Sequence, residues 1–140
     1  MRQILLFAAL AASLALLAGC TLSKTKADTA EDAPDKAAYH KLSAEEAYEM
    51  MSSQEVVVVD VRTREEYDDG HIENAVLVPN ESIDSEMPEA LPDKEATLLV
   101  YCRSGRRSKD AAQKLLALGY QSVYDFGGVI DWPYELVKEG

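Results

Sequence analysis

After residue 42 the apolar positions of this chain alternate between helical and strand spacing. Ser43 and Glu46 form a capping box, with Leu42 and Ala47 placed as a staple and Ala47, Met50 and Met51 on one side of the helix that follows. That pattern fades at Ser52-Ser53. Val56 to Val59 is an unbroken β-branched run, as expected of a strand buried on both faces of a parallel sheet. Thr63 and Glu66 make a second capping box, opening a short helix that Gly70 ends. Ala75 to Val78 reads as a second strand, closed by Pro79-Asn80. Residues 81–95 are acidic, contain Pro88 and Pro92, and fit a short helix and loop. Ala96 to Tyr101 is a third core strand. Arg106 to Leu118 is helical, with Ala111, Ala112, Leu115, Leu116 and Leu118 towards the core and Gly119 at the cap. Ser122 to Asp125 reads as a fourth strand, Gly127-Gly128 as a turn, and Val129 to Val137 as a closing helix containing Trp132 and Pro133. Strands alternating with helices predict an α/β fold with a mainly parallel central sheet flanked by helices.

The first 41 residues follow a different pattern. Met1-Arg2 is a short basic start, and Ile4 to Leu17 is an apolar stretch of secretory-signal length. It ends in Leu17-Ala18-Gly19-Cys20, which resembles the lipobox of bacterial lipoprotein signals. That resemblance implies cleavage before Cys20 and lipidation of Cys20. Several acyl chains on one residue would hold the protein stably at a membrane. The expected location is the cell envelope, on the periplasmic face. Thr21 in place of Asp favours the outer membrane where the sorting rule of enteric bacteria applies. Residues 1–19 are thus expected to be a signal peptide and 20–41 a flexible tether, His40 included. A coil of that length reaches roughly 25 Å. Residues 42–140 are expected to form the single domain.

Net charge is −11, from 25 acids against 14 bases, which argues against nucleic acid as a partner. Against that background Arg103, Arg106, Arg107 and Lys109 cluster around Cys102. Such a local positive site suits a small anionic ligand, and equally a solvated helix face. The chain has two cysteines. With Cys20 assigned to lipid, Cys102 has no intrachain partner, and an unpaired thiol in an exported domain calls for an explanation. No His/Cys/Asp cluster has metal spacing, and no cofactor is expected.

Cys102 stands in Tyr101-Cys102-Arg103-Ser104-Gly105-Arg106-Arg107-Ser108, between the end of a buried strand and the start of a helix. A thiol there faces unpaired backbone N–H groups, and the helix dipole and the arginines favour its thiolate. Gly105 permits the tight curvature of the loop. Arg107 can orient the loop by pairing with a carboxylate or can face an anionic donor. Arg103 and Arg106 read as outward groups that attract substrate. Asp60 and Arg62 follow a neighbouring strand end and can reach the loop. An acid beside a thiolate opposes its ionisation unless paired with arginine, so Asp60 reads as structural. His71 and Trp132 also read as structural.

Four blocks then line up in order and spacing: Asp60-Val61-Arg62 with Glu65-Glu66-Tyr67; Gly70-His71-Ile72; the loop from Cys102 to Ser108; and Gly127-Gly128 followed by Trp132. Together they resemble a single-domain rhodanese over nearly all of the mature domain. Asn74 departs from the family pattern, which usually carries glycine there, with little effect expected on the chemistry. The resemblance implies sulfur transfer. Thiosulfate, a persulfide or a polysulfide would give sulfane sulfur to the Cys102 thiolate, and cyanide or a thiol, protein thiols included, would remove it by a covalent ping-pong route. It assigns catalysis to Cys102 and donor binding to Arg103, Ser104, Gly105, Arg106, Arg107 and Ser108, with Asp60 and Arg62 as loop support. The loop from Cys102 to Arg107 is one residue shorter than in the related phosphatases, which favours sulfur over phosphatase or arsenate-reductase chemistry. A carrier or partner-binding module without turnover is the other reading the resemblance leaves open.

Overall fold

Strands β2 (Val57–Asp60) and β4 (Thr97–Cys102) lie at the centre of the sheet because their apolar side chains can be covered on both faces. The computed structural model describes residues 38–138. Its five strands run in the order β1 (Tyr39–Lys41), β5 (Ser122–Gly128), β4, β2 and β3 (Val76–Leu77), and every pair is parallel. Alternation along β4 sends Leu98, Val100 and Cys102 to one face and Leu99 and Tyr101 to the other. Helix α3 (Arg106–Ala117) covers the first face with Ala111, Ala112 and Leu115. Helices α1 (Ala44–Ser53) and α2 (Arg64–Asp69) cover the second with Ala47 and Tyr67.

Both capping boxes are present. Ser43 Oγ accepts from the Glu46 N–H and Thr63 Oγ1 from the Glu66 N–H, and each glutamate reaches back to the cap N–H. Helix α3 ends in a Schellman motif: Tyr120 N–H donates to Leu115 O, and Gly119 N–H to Leu116 O, with Gly119 at φ 96°.

Three expectations are corrected. First, β1 lies within residues 20–41, the span expected to be tether. Its Tyr39-His40-Lys41 is too short and too polar to stand out as a strand, yet it pairs with β5, and the His40 ring stacks on Tyr124. Second, Gly127-Gly128 is the end of β5 and not a turn. A register shift between Val100 and Tyr101 passes over Phe126, and Gly127, at φ 93°, pairs with Tyr101. Third, Val129–Val137 is no helix. One 3-10 turn (Val129–Asp131) ends at Trp132, Pro133 follows, and Val137 then bridges to His71. The signal segment, Cys20 and most of the tether lie outside the described residues.

This topology fixes where a ligand can sit. The strand order reverses between β2 and β4, and open α/β sheets bind ligands beyond the carboxyl ends at that point. Cys102 is the last residue of β4, and Asp60 the last of β2.

Candidate active site

The chain leaves β4 at Cys102 and must turn into α3 by Arg106. Gly105, at φ 94°, makes that turn in the left-handed region where a side chain would be strained. Gly128 of β5 lies so close beneath the loop that a Cβ there would stand 2.3 Å from the Arg103 carbonyl oxygen. The loop is therefore curled over β5 with its N–H groups turned inward. Gly105 N–H donates to Cys102 Sγ at 3.0 Å, and the N–H groups of Ser104 and Ser108 and the Ser108 hydroxyl also serve the sulfur. Burial alone would raise the thiol pKa; these donors outweigh it, and the result lies below the ordinary thiol value. The sulfur is recessed, with Cys102 only 1% exposed. A reacting atom must therefore enter the loop.

The first turn of α3 carries Arg106, Arg107 and Lys109 and no acid, which is unfavourable against the helix dipole. An anion in the loop would relieve that arrangement. Arg107 is already neutralised. Its Nη1 and Nη2 donate to Glu66 Oε2 and Oε1 at 2.7 and 2.8 Å, tying α3 to α2 across 41 positions. The Arg107 fork holds the Glu66 carboxyl at about 2, and Glu66 in turn raises Arg107. Arg103 and Arg106 are exposed.

Two clefts flank this ion pair. One, of about 660 Å³, is lined by Asn80, Glu81, Ser104, Arg106, Arg107 and Asp110. The other, of about 380 Å³, sets Arg62 and Arg103 beside the apolar side chains of Val129, Ile130 and Leu136.

The hydrogen bonds of the Asp60 and Arg62 side chains do not run to residues 103–108, although Arg62 and Arg103 line the same cleft. Arg62 grips Asp60 through Nε and Nη2, at 3.0 and 2.6 Å, and Nη2 also donates to Gly70 O. Both are buried, and the pair fixes the end of β2 against the turn after α2. Asn74 adopts φ 62°, which explains a glycine preference at this position; asparagine tolerates that conformation. His71 is buried, stacked on Tyr67, with Nδ1 2.9 Å from the Tyr67 carbonyl oxygen. Trp132 is buried against Phe126. Among the described residues no acid, His or Cys cluster can hold a metal, and no helix is long and apolar enough to cross a membrane.

Two site residues escape a reading of the sequence alone. Glu66 already explains itself as a capping residue, which hides its grip on Arg107. Asp125 is a buried acid beneath the loop whose Oδ1 accepts from Ser108 Oγ at 2.7 Å and from Gly127 N–H at 2.9 Å. An aspartate inside an otherwise apolar strand is the signal that points to it.

The family described as Rhodanese-like domain matches residues 43–133. A tRNA uridine(34) hydroxylase from Yersinia pestis is 32% identical over 106 residues, covering 72% of this chain and 30% of the relative. The chain thus spans under a third of the length of such curated relatives. Among solved structures, a rhodanese with anions from E. coli shares 34% identity at a TM-score of 0.55, covering 61% of this chain and 100% of that one. The human single-domain sulfurtransferase shares 26% identity at a TM-score of 0.60, covering 66% and 93%.

Proposed function

The chain belongs to the Rhodanese-like domain family, and from that premise we propose that it is a sulfurtransferase working through a persulfide on Cys102. The observation that carries this reading is the sulfur's own environment: a recessed thiol held by N–H donors from Ser104, Gly105 and Ser108, with its pKa lowered. The Cys102 thiolate attacks the outer sulfur of a donor such as thiosulfate. An S–S bond forms to Sγ, the donor's own S–S bond breaks, and sulfite leaves with the electron pair. Cyanide or a thiolate then attacks the outer sulfur and returns the thiolate of Cys102. The inward N–H groups stabilise sulfur-borne charge without reorganising.

The loop also supports a donor with negative charge, since Arg103 and Arg106 are exposed on either side of it. A tRNA substrate, as the name of the hydroxylase relative suggests for that protein, is opposed here by the net charge of −11. Lipidation at Cys20, suggested by Leu17-Ala18-Gly19-Cys20, would place the reaction at the periplasmic face of the envelope.

Intact mass of protein taken from cells tests both parts. Thiosulfate is expected to add about 32 Da, one sulfur atom, to wild type and nothing to Cys102→Ser. An unchanged wild-type mass with thiosulfate, persulfide and polysulfide alike rules out the sulfur reading. A mature chain that starts at a diacylated Cys20 supports the anchor, and an unmodified Cys20 overturns it.

A further inference from the structure

The two clefts beside the Glu66–Arg107 pair have different linings. The larger is polar throughout, from Asn80 to Asp110. The smaller adds Val129, Ile130 and Leu136 to its charged residues. Ile130 is 63% exposed, more than any other large apolar side chain among the described residues, and Leu136 is 41% exposed. A single exposed aliphatic side chain needs no explanation; two that share a cleft beside a reactive thiol do.

This apolar surface is built onto the sulfur's own strand end. Cys102 pairs with Gly128 in the register of β4 and β5, and Val129 and Ile130 follow directly. Ile130 N–H donates to the Arg103 carbonyl oxygen at 3.2 Å, one residue from the nucleophile. Leu136 is fixed from another side. A Cβ on Gly70 would meet its Cβ at 3.6 Å, and the next residue, Val137, exchanges two hydrogen bonds with His71 at 2.9 and 2.8 Å. The backbone that carries the cleft is thus held in place, so little order has to be imposed on binding. Of its four charged residues, Arg62 is held by Asp60 and Glu66 by Arg107, which leaves Arg103 and Asp69 with opposite signs. The cleft therefore has little net charge. Its aliphatic groups suit a hydrocarbon body better than a hydrated dianion, and about 380 Å³ suits a short one.

We propose that this cleft is the acceptor subsite: it seats the aliphatic body of a low-molecular-weight thiol that removes sulfur from Cys102, with Ile130 and Leu136 as specificity-determining residues. The acceptor thiolate attacks the outer sulfur of the Cys102 persulfide. A new S–S bond forms, the bond to Sγ breaks, and its electron pair returns to Cys102 as thiolate. The product is an alkyl persulfide. Cyanide has no body to place in the cleft and gains nothing from it. The inference rests on the persulfide chemistry proposed above, so its first test uses no sulfane sulfur.

That test is modification of Cys102 in the full-length protein by alkyl methanethiosulfonates from methyl to butyl, followed by mass on the Cys102 peptide. Sγ attacks the sulfenyl sulfur, the alkylthio group stays on Cys102, and methanesulfinate leaves. Each rate is divided by that of free 2-mercaptoethanol, which removes the reagent's own chain-length effect. A fully buried methylene is worth about fourfold; an open cleft is expected to give about twofold, hence about eightfold from methyl to butyl. Ile130→Ser is expected to cut that gain to about threefold or less, and Leu136→Ser to lower it as well. Met87→Ser removes a side chain that is 42% exposed and lines neither cleft, and is expected to keep the full gain. Each gain is a ratio to the methyl reagent, so a general change in thiol reactivity cancels. A flat series in wild type overturns the subsite, and so does a gain that survives in both Ile130→Ser and Leu136→Ser.

A second measurement discharges the preformed persulfide with ethanethiol and with 1-butanethiol. An advantage of about fourfold for butanethiol that Ile130→Ser abolishes supports the acceptor role, and equal rates overturn it. If no sulfane donor forms the persulfide, sulfur transfer itself has failed, and the alkyl series still decides whether the cleft seats an aliphatic chain.

Discussion

Arg62 and Arg107 each meet a carboxylate with two guanidinium nitrogens, and the two pairs do different work. Asp60–Arg62 closes within a single strand end, is almost wholly buried, and reaches onward to the Gly70 carbonyl. Glu66–Arg107 joins two helices, is about a quarter exposed at each end, and stands at the foot of the loop around Cys102. The first organises the scaffold on which the loop rests, and the second organises the loop itself. The arginine does not decide the role. Burial and the distance along the chain to its partner do.

The sharpest way to break this contrast is Arg62→Gln. It leaves Asp60 buried without its charge partner, for which a stability loss of about 3–5 kcal/mol is expected. Urea unfolding near neutral pH reads it directly. Protein that remains folded at low temperature is expected to form the Cys102 persulfide at close to the wild-type rate. A large rate loss in folded protein with little loss of stability would reverse the roles assigned to the two pairs.

Glu66→Gln probes the other pair. Glutamine can still close the capping box with Thr63, so the change falls mainly on the Arg107 fork. A stability loss of about 1.5–3 kcal/mol is expected from two charge-assisted hydrogen bonds, discounted for their partial exposure. Persulfide formation at saturating donor is expected to slow about tenfold, as for other misplacements of catalytic geometry. The pair also carries an acid signature. The Glu66 carboxyl is held at about 2 in the folded protein against an ordinary 4.5. The unfolded chain therefore binds the extra proton first. The stabilisation is full above about 4.5 and is lost as pH falls from there towards about 2. Comparing urea midpoints of wild type and Glu66→Gln at neutral pH and at pH near 3 checks this, since the difference between them should narrow in acid. A constant difference would mean that the charge pair is not its source.

The sequence shows half of this comparison and hides the other half, for a physical reason. Asp60-Val61-Arg62 is local, so its pairing can be read from spacing, and Cys102 to Ser108 is contiguous, so the loop is recognisable as a unit. Both capping boxes are likewise local signals, and β4 and α3 carry clean apolar periods. Glu66 and Arg107 meet only because α2 and α3 approach the same strand ends, which no short window contains. Asp125 is hidden in the same way: its donors come from β1, α3 and β5 together. β1 is invisible because three residues with one partly covered ring give no period. The closing segment misleads in the opposite sense. Val129, Trp132 and Val137 mimic helical spacing, while Pro133 denies the helix a hydrogen bond.

The smallest effect belongs to the arginines outside either pair, and it sharpens what pairing does. Arg106 opens α3, lines the larger cleft, and is exposed. Its charge can act on an arriving anion, whereas that of Arg107 is neutralised by Glu66. Arg106→Glu turns an attraction into a repulsion and places a third acid beside Glu81 and Asp110. An exposed charge is screened within about 10 Å at ordinary ionic strength, so the effect should be modest. A rise of about three- to tenfold in KM for thiosulfate is expected, with kcat little changed, because the residue meets the donor before the sulfur enters the loop. The ratio of variant to wild-type KM should fall as salt is added. A change confined to kcat, or one indifferent to salt, would place Arg106 in the loop's geometry alongside Arg107 and remove the distinction between paired and unpaired arginines.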